Sequence, residues 1–168
     1  MKEWFAKFKR FLLGKRKPEK KLKSYPELER IAKLDPPQRL LGKTIYWTEK
    51  RDGTNIRVAL RNGKPLISTR HQEQASESFK QAFLRTAEAT KVIQFIKDQS
   101  GLGTASFASD FNFEPVVFGE LLVKGFSPTR IEKHEKDEFI VFDIWDSKNG
   151  RFLPYPLVYQ HCSHYAIP

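Results

Sequence analysis

Residues 49–55 (EKRDGTN) bring together side chains that can act on a phosphate group. Lysine is protonated and a poor nucleophile at neutral pH, but a neighbouring cation or partial burial lowers its pKa and frees the amine. Arg51 gives Lys50 such a neighbour, and Gly53 permits a tight turn that brings backbone amides close to an anion. Asn55 can donate a hydrogen bond to a phosphate or ribose oxygen. On its own the segment also fits a charged loop between strands, because K-x-D-G occurs by chance.

Three later segments carry side chains that suit a nucleotide. Arg70 closes a Ser-Thr-Arg run, and an arginine presents a fork of donors to anionic oxygens. Glu120 lies in the run FGEL, and a carboxylate can accept hydrogen bonds from two vicinal hydroxyls. Phe142 lies in the run FIVFDI, and its ring can stack on a purine. The same residues also fit a simpler interpretation, in which Phe142 is core and the two charged residues form a surface ion pair.

The four segments, taken in order over about residues 40–155, resemble the motifs of the covalent nucleotidyltransferases: RNA ligases, DNA ligases and mRNA capping enzymes. The run E-K-x-D-G-x-N is similar to the nucleotide-attachment motif, whose lysine attacks the α-phosphate of ATP or GTP. The resemblance gives that role to Lys50. It also implies nucleotide contacts for the residues around it, which are Glu49, Asp52, Gly53 and Asn55.

The other segments match further motifs of these enzymes. By resemblance, Arg70 contacts the nucleotide or the substrate, the Glu120 carboxylate binds the ribose hydroxyls, and the Phe142 ring stacks on adenine. RNA ligases fit best, because Asn55 gives the G-x-N form found in them, whereas DNA ligases usually have arginine there. A capping-type guanylyltransferase and a non-catalytic, nucleic-acid-binding ligase remnant stay open as alternatives.

An RNA ligase of this kind implies ATP and Mg²⁺ as cofactors and RNA as the partner. Lys50 takes AMP from ATP, the AMP passes to the 5′-phosphate of an RNA end, and a 3′-hydroxyl then displaces AMP to seal the strand. The resemblance leaves the residues that hold the metal unknown. It does not say whether the RNA is a nicked duplex or another repaired end.

The hydrophobic pattern predicts an α+β fold with antiparallel strands. Asn62-Gly63 is a strong signal for a two-residue hairpin turn. The resemblance implies the nucleotidyltransferase fold, with antiparallel sheets around a nucleotide cleft. The expected strands are 44–49, 54–61, 64–70, 115–122, 138–146 and about 151–155, and the expected helices are a short one after Pro26, with Leu28 and Ile31 inward, and a long one over 77–98.

Relatives of this family continue with an E-G-x-V-like segment that helps bind metal and a K-x-K pair that neutralises the triphosphate. Neither follows the FIVFDI run in this sequence, so we expect residues 25–168 to be the N-terminal portion of the domain. We also expect slow adenylylation, no strand sealing by this chain alone, and a sheet that is incomplete at the C-terminal side. An unpaired edge near 138–146 would leave Val141 or Ile144 poorly covered.

Charge is the unusual feature of the composition. The chain has 30 Lys and Arg against 20 Asp and Glu, a net charge of +10, and residues 1–24 account for +8 of it. We interpret 1–24 as a basic amphipathic arm and a solvated linker. Its apolar stripe could dock on the body, its basic face could contact nucleic acid, or it could lie on an anionic membrane surface.

The remaining signals are weak. Cys162 is the single cysteine, which excludes an internal disulfide and fits a reducing compartment. No apolar run is long enough to span a membrane, and lysines interrupt the N-terminal apolar residues, so a cytoplasmic protein is expected. His161 and His164 are a poor metal site without further ligands. His71 and His134 are expected to be exposed and structural.

Overall fold

The computed structural model describes residues 21–26, 41–102 and 113–168. They form one antiparallel sheet in the order β2-β1-β3-β4-β5, with three helices. The mixed fold predicted from the sequence is confirmed. The strands are β1 (Thr54–Arg61), β2 (Lys64–Thr69), β3 (Pro115–Leu122), β4 (Glu138–Asp146) and β5 (Arg151–Phe152), and the helices are α1 (Glu77–Arg85), α2 (Ala89–Gln99) and α3 (Tyr155–His164).

The β1–β2 hairpin forms where the sequence predicts it. Asn62 and Gly63 have φ of 53° and 73°, the left-handed conformation that a two-residue turn of this type needs. The turn sets the register, in which Arg61 pairs with Lys64 and Ile56 pairs with Thr69. Strands β1, β3 and β4 have the predicted bounds.

Three predicted elements differ from the structure. Residues 44–49 form no strand, and their side chains are exposed. The long helix over 77–98 is two helices, because Thr86 has an extended conformation and its hydroxyl donates to the Phe83 carbonyl at 2.8 Å. The last strand ends at Phe152, and Pro154 begins helix α3 instead. The helix expected after Pro26, like residues 1–20 of the arm, lies outside the described residues.

One face of the sheet carries the main core. Side chains of α1 and α2 pack against it, including Phe83, Phe95 and Ile96. Ile144 is only 1% exposed, so the expectation that it would be poorly covered is wrong. Val141 is half-buried, and its N–H donates to the Pro168 carbonyl at 3.1 Å. The C-terminal segment therefore covers part of the edge that was expected to be bare.

The opposite face, which we call the second face, carries a smaller cluster built on Ala59, Val116 and Phe118. Leu22 and Tyr25 pack onto this cluster from the N-terminal side. Residues 21–24 were expected in a solvated linker; Lys21, Lys23 and Ser24 are indeed exposed, but the half-buried Leu22 packs on the sheet. The reason lies in β1.

The buried Arg57 of β1 faces residues 21–24. Its guanidinium donates to the Lys23 carbonyl at 2.8 Å and to the Ser24 hydroxyl at 3.1 Å. Burial lowers the pKa of Arg57, an effect that the nearby Glu73 carboxylate opposes. A buried guanidinium requires acceptors, and this segment supplies them to one of its NH2 groups, while Arg57 Nε has none among the described residues.

A β-bulge in β4 sets the direction of one predicted site residue. Phe118 pairs with Asp143, and the next residue, Gly119, pairs with Val141, so Phe142 is the extra residue. The bulge turns Phe142 onto the second face, where its ring centroid lies 5.0 Å from that of Tyr25. None of the helices in the described ranges is long and apolar enough to cross a membrane.

Candidate functional site

Asn55, Glu120 and Phe142 come together on the second face of the sheet. Asn55 on β1 pairs directly with Glu120 on β3, so their side chains are cross-strand neighbours. Glu120 lies two residues from Phe118 and therefore on the same face. Phe142 on β4 belongs to the cluster around Phe118. Three neighbouring strands thus present an amide, a carboxylate and an aromatic ring to the same side.

The loop that follows Lys50 is fixed to this face through Glu120. The Gly53 N–H donates to Glu120 Oε1 at 3.1 Å. There is no space for a side chain at Gly53, because a Cβ there would lie 2.6 Å from the Leu121 carbonyl and 2.9 Å from Glu120 Cγ. This close approach, rather than a positive φ, is what requires glycine.

The electrostatics connect Lys50 to the same carboxylate. Burial raises the pKa of Glu120, while the Gly53 N–H and the positive charge of Lys50 oppose the increase. The negative charge of Asp52 adds to it. Lys50 is itself exposed. The ammonium of Lys50 is therefore accessible and close enough to be felt by the carboxylate that the resemblance assigns to the ribose.

Arg51 pairs with carboxylates on two sides. Its Nε lies 3.1 Å from Glu132 Oε2 and 3.9 Å from Glu49 Oε1. The Glu132 hydrogen bond is the main cause of a raised pKa for Arg51. Two carboxylates thus compensate the guanidinium charge, and the view of Arg51 as a cation that activates Lys50 is not supported. Glu49 is exposed beside it.

Asp52 is held by the loop between β3 and β4. Its carboxylate accepts hydrogen bonds from the Ser127 hydroxyl and, at 3.2 Å, from the Thr129 N–H. These bonds, with that from Ser127 first, lower the pKa of Asp52. In this structure the carboxylate of Asp52 therefore organises the loop.

Sequence reasoning missed Glu132 and His134. His134 was expected to be exposed, but it is buried, and its Nε2 donates to the Asp52 carbonyl at 2.7 Å. Glu132 Oε1 accepts from the Asp52 N–H at 3.2 Å. No spacing rule reveals either residue, because they lie 80 or more positions from Asp52 along the chain.

Arg70 lies at the same end of the sheet as Asn55. It follows Thr69, whose partner on β1 is Ile56, the residue next to Asn55. Its side chain is exposed. Arg70 is therefore near the candidate site, at its outer side.

The model of the RNA ligase family matches residues 43–168, three quarters of the chain. This chain belongs to the RNA ligase family. The match includes all eight residues that the sequence analysis selected and both loops described above. Among curated proteins, no sequence matches the chain.

Solved RNA ligases share the fold. An archaeal ATP-dependent RNA ligase aligns with a TM-score of 0.51 and 19% identity, over 88% of this chain and 36% of the ligase. Two mutants of Naegleria gruberi RNA ligase, one with AMP and Mn and one with ATP and Mn, align with TM-scores of 0.51 and 17% identity. Each covers 70% of this chain and 31% of the ligase. At these identities the likeness shows the nucleotidyltransferase fold alone, and this RNA ligase family chain spans about a third of the solved ligases.

The described residues do not build a metal site from protein alone. Within residues 21–26, 41–102 and 113–168, no group of three or more His, Cys, Asp or Glu side chains could hold a metal ion. The neighbourhood of His161 and His164 is included in that finding. A Mg²⁺ ion usually takes one or two carboxylates together with substrate phosphates and water, rather than a cage made of protein alone.

Proposed function

We propose that this chain carries the nucleotide-attachment site of an ATP-dependent RNA ligase, with Lys50 as the nucleophile. The observation that carries the proposal is the hydrogen bond between Gly53 N–H and Glu120 at 3.1 Å. It joins the loop that bears the lysine to the strand that bears the proposed ribose carboxylate. A charged surface loop would not require that contact or the close packing at Gly53.

In the proposed reaction, the lone pair of the unprotonated Lys50 amine attacks the α-phosphorus of ATP. The P–N bond forms, the bond between the α-phosphorus and the bridging oxygen breaks, and pyrophosphate leaves. The amine then releases a proton to solvent. The unprotonated amine is essential, so arginine cannot replace Lys50 in this step.

The side chains on the second face orient the nucleotide. Glu120 retains acceptor capacity beyond its bond to Gly53, because an ionised carboxylate has about four lone-pair sites, and it accepts hydrogen bonds from the ribose. Phe142 stacks on adenine, and Asn55 donates to a ribose or phosphate oxygen. Arg70 binds an anionic oxygen of the nucleotide or the RNA end.

ATP and a divalent metal are supported as cofactors by two neighbours of the same fold, which were solved with AMP and Mn and with ATP and Mn. We propose Mg²⁺ for this chain, where a divalent ion offsets charge on the phosphates. Transfer of AMP to a 5′-phosphate RNA end and sealing by a 3′-hydroxyl complete the proposed cycle. The basic segment 1–24 is a proposed RNA contact, and a cytoplasmic location stays a prediction.

Incubation with ATP or GTP, each radiolabelled at the α-phosphate, and Mg²⁺ tests the proposal. We expect an acid-labile, alkali-stable adduct with ATP that is absent from Lys50→Ala and Lys50→Arg. Lys43→Ala, at an exposed lysine in the same segment, is the matched control and keeps the label. Label from GTP alone would indicate a guanylyltransferase, and no label from either nucleotide would favour the non-catalytic remnant. Label retained in Lys50→Ala would refute the assignment of the nucleophile.

A further inference from the structure

The β3–β4 loop, residues 123–137, is hydrogen-bonded to the segment that follows Lys50. Glu132 accepts from Arg51 Nε at 3.1 Å and from the Asp52 N–H at 3.2 Å. His134 Nε2 donates to the Asp52 carbonyl at 2.7 Å. The two residues therefore fix both the N–H and the carbonyl of Asp52, two positions after the proposed nucleophile.

The β3–β4 loop is held by hydrogen bonds of its own and by an ion pair with helix α1. The Gly125 N–H donates to the His134 carbonyl at 3.0 Å, and the Lys124 N–H donates to Asp137 at 2.8 Å. Asp137 also pairs with Arg85 of α1 at 2.8 Å. Polar contacts thus connect helix α1, through the β3–β4 loop, to the backbone of Asp52. They restrict the movement of the segment that carries Lys50.

We propose that Glu132 and His134 are positioning residues for Lys50. They hold the side chain of Arg51 and the backbone of Asp52 so that the amine meets the α-phosphorus in line. The inference rests on the proposed function of Lys50. Misplacement of a reacting group by about 1 Å can lower the rate about 10²-fold. The hydrogen bonds to the Asp52 backbone can therefore affect the rate of adenylylation.

His134 is enclosed, and the Glu132 carboxylate, whose side chain is 27% exposed, accepts two hydrogen bonds from the segment after Lys50. The His134 side chain is 3% exposed. Both carboxylate oxygens of Glu132 are already engaged, Oε1 with the Asp52 N–H and Oε2 with Arg51. These contacts give both residues a route to the reaction through the segment that they hold, Arg51 and Asp52.

The test measures the rate of adduct formation against ATP concentration in the full chain. Glu132→Ala removes the acceptor of the Asp52 N–H together with the partner of Arg51, and His134→Ala removes the donor to the Asp52 carbonyl. We expect the maximal rate to fall about 10- to 100-fold in each, while the ATP concentration for half-maximal rate changes less than about threefold. His134→Gln, which retains a side-chain N–H donor, should recover part of the rate. Glu135→Gln, at an exposed carboxylate next to His134, is the control and should behave as wild type.

Hydrogen exchange of the Asp52 amide, followed by NMR, gives a readout that does not depend on catalysis. We expect faster exchange in Glu132→Ala, because the amide loses its acceptor, and unchanged exchange in the Glu135→Gln control. If His134→Ala does not fold, Glu132→Ala and His134→Gln still decide the result. Variants that label at the wild-type rate would overturn the positioning role alone. A wild-type chain that takes no label would overturn the proposed function, and the positioning role with it.

Discussion

Replacement of Gly53 by alanine tests the close approach between β3 and the loop that follows Lys50. A Cβ at this position would lie 2.6 Å from the Leu121 carbonyl oxygen and 2.7 Å from Leu122 Cδ2. The Leu122 methyl can move, but the carbonyl belongs to the backbone of a central strand and cannot. Ordinary contact begins at 3.4 Å, so the loop must retreat by about 0.8 Å.

That retreat would break the contact on which the proposed site depends. The bond from Gly53 N–H to Glu120 is 3.1 Å long, and a further 0.8 Å would stretch it to about 3.9 Å, beyond hydrogen-bond range. We expect Gly53→Ala to lower the free energy of unfolding by about 1–3 kcal/mol, as overpacking usually does. The rate of AMP transfer to Lys50 should fall about 10²-fold, because the nucleophile moves by nearly 1 Å.

The assay combines urea unfolding with the rate of labelling by ATP at saturating concentration. Gly150→Ala is the matched control, since Gly150 has φ of +68° and open space around it. An alanine with this positive φ should lower the free energy of unfolding by about 1–2 kcal/mol, similar to the loss in Gly53→Ala. Gly150 lies in the turn between β4 and β5, at the other end of the sheet from Gly53. Equal labelling rates in Gly53→Ala and wild type would refute the reasoning, as would an equal loss of labelling in Gly150→Ala.

Three further predictions concern Phe142, the Tyr25 that packs beside it, and the basic arm. Phe142→Ala should weaken ATP binding by about 1–3 kcal/mol in calorimetry, with partial recovery in Phe142→Leu, whereas Phe152→Leu in the same cluster should leave ATP binding unchanged. Burial, and after it the Asp143 carboxylate, raises the pKa of Tyr25 from 10 to about 12. The protonated Tyr25 hydroxyl therefore stabilises the folded chain fully below pH 10, and this stabilisation is lost as the pH rises towards 12. Urea unfolding at pH 10 and 11.5 should therefore show wild type losing about 1–2 kcal/mol more than Tyr25→Phe, and parallel curves would contradict that assignment. Deletion of residues 1–20, which carry +6, should flatten the salt dependence of RNA binding, and an unchanged slope would leave the arm without a role in binding.

The central strands could be predicted because local pattern and partners agree. In β1 the core-facing Ile56 and Val58 alternate with Asn55 and Arg57 on the second face, and the Asn-Gly turn fixes the hairpin. The run TIYWTE at 44–49 has equally strong β propensity but no paired strand among the described residues. Propensity alone therefore gave a wrong strand, since strands form only where another strand supplies hydrogen bonds.

For the candidate site, the residue types in the sequence limit the chemistry that can be predicted. Glu120 was selected for its carboxylate, and the structure brings it to the loop that follows Lys50. The contacts of Glu132 and His134 could not be predicted, since their partners lie 80 or more residues away and no periodicity joins them. The error over Arg51 has the same origin, because its neighbour in sequence is Lys50 but its partner in space is Glu132.

The most direct test of the account is to locate the adenylyl group on the chain. After incubation with ATP and Mg²⁺, digestion and mass spectrometry at neutral to alkaline pH should find AMP on one lysine. We expect that this lysine is Lys50, and that the neighbouring exposed Lys43 is unmodified. AMP on a different lysine, with Lys50 unmodified, would contradict the central claim.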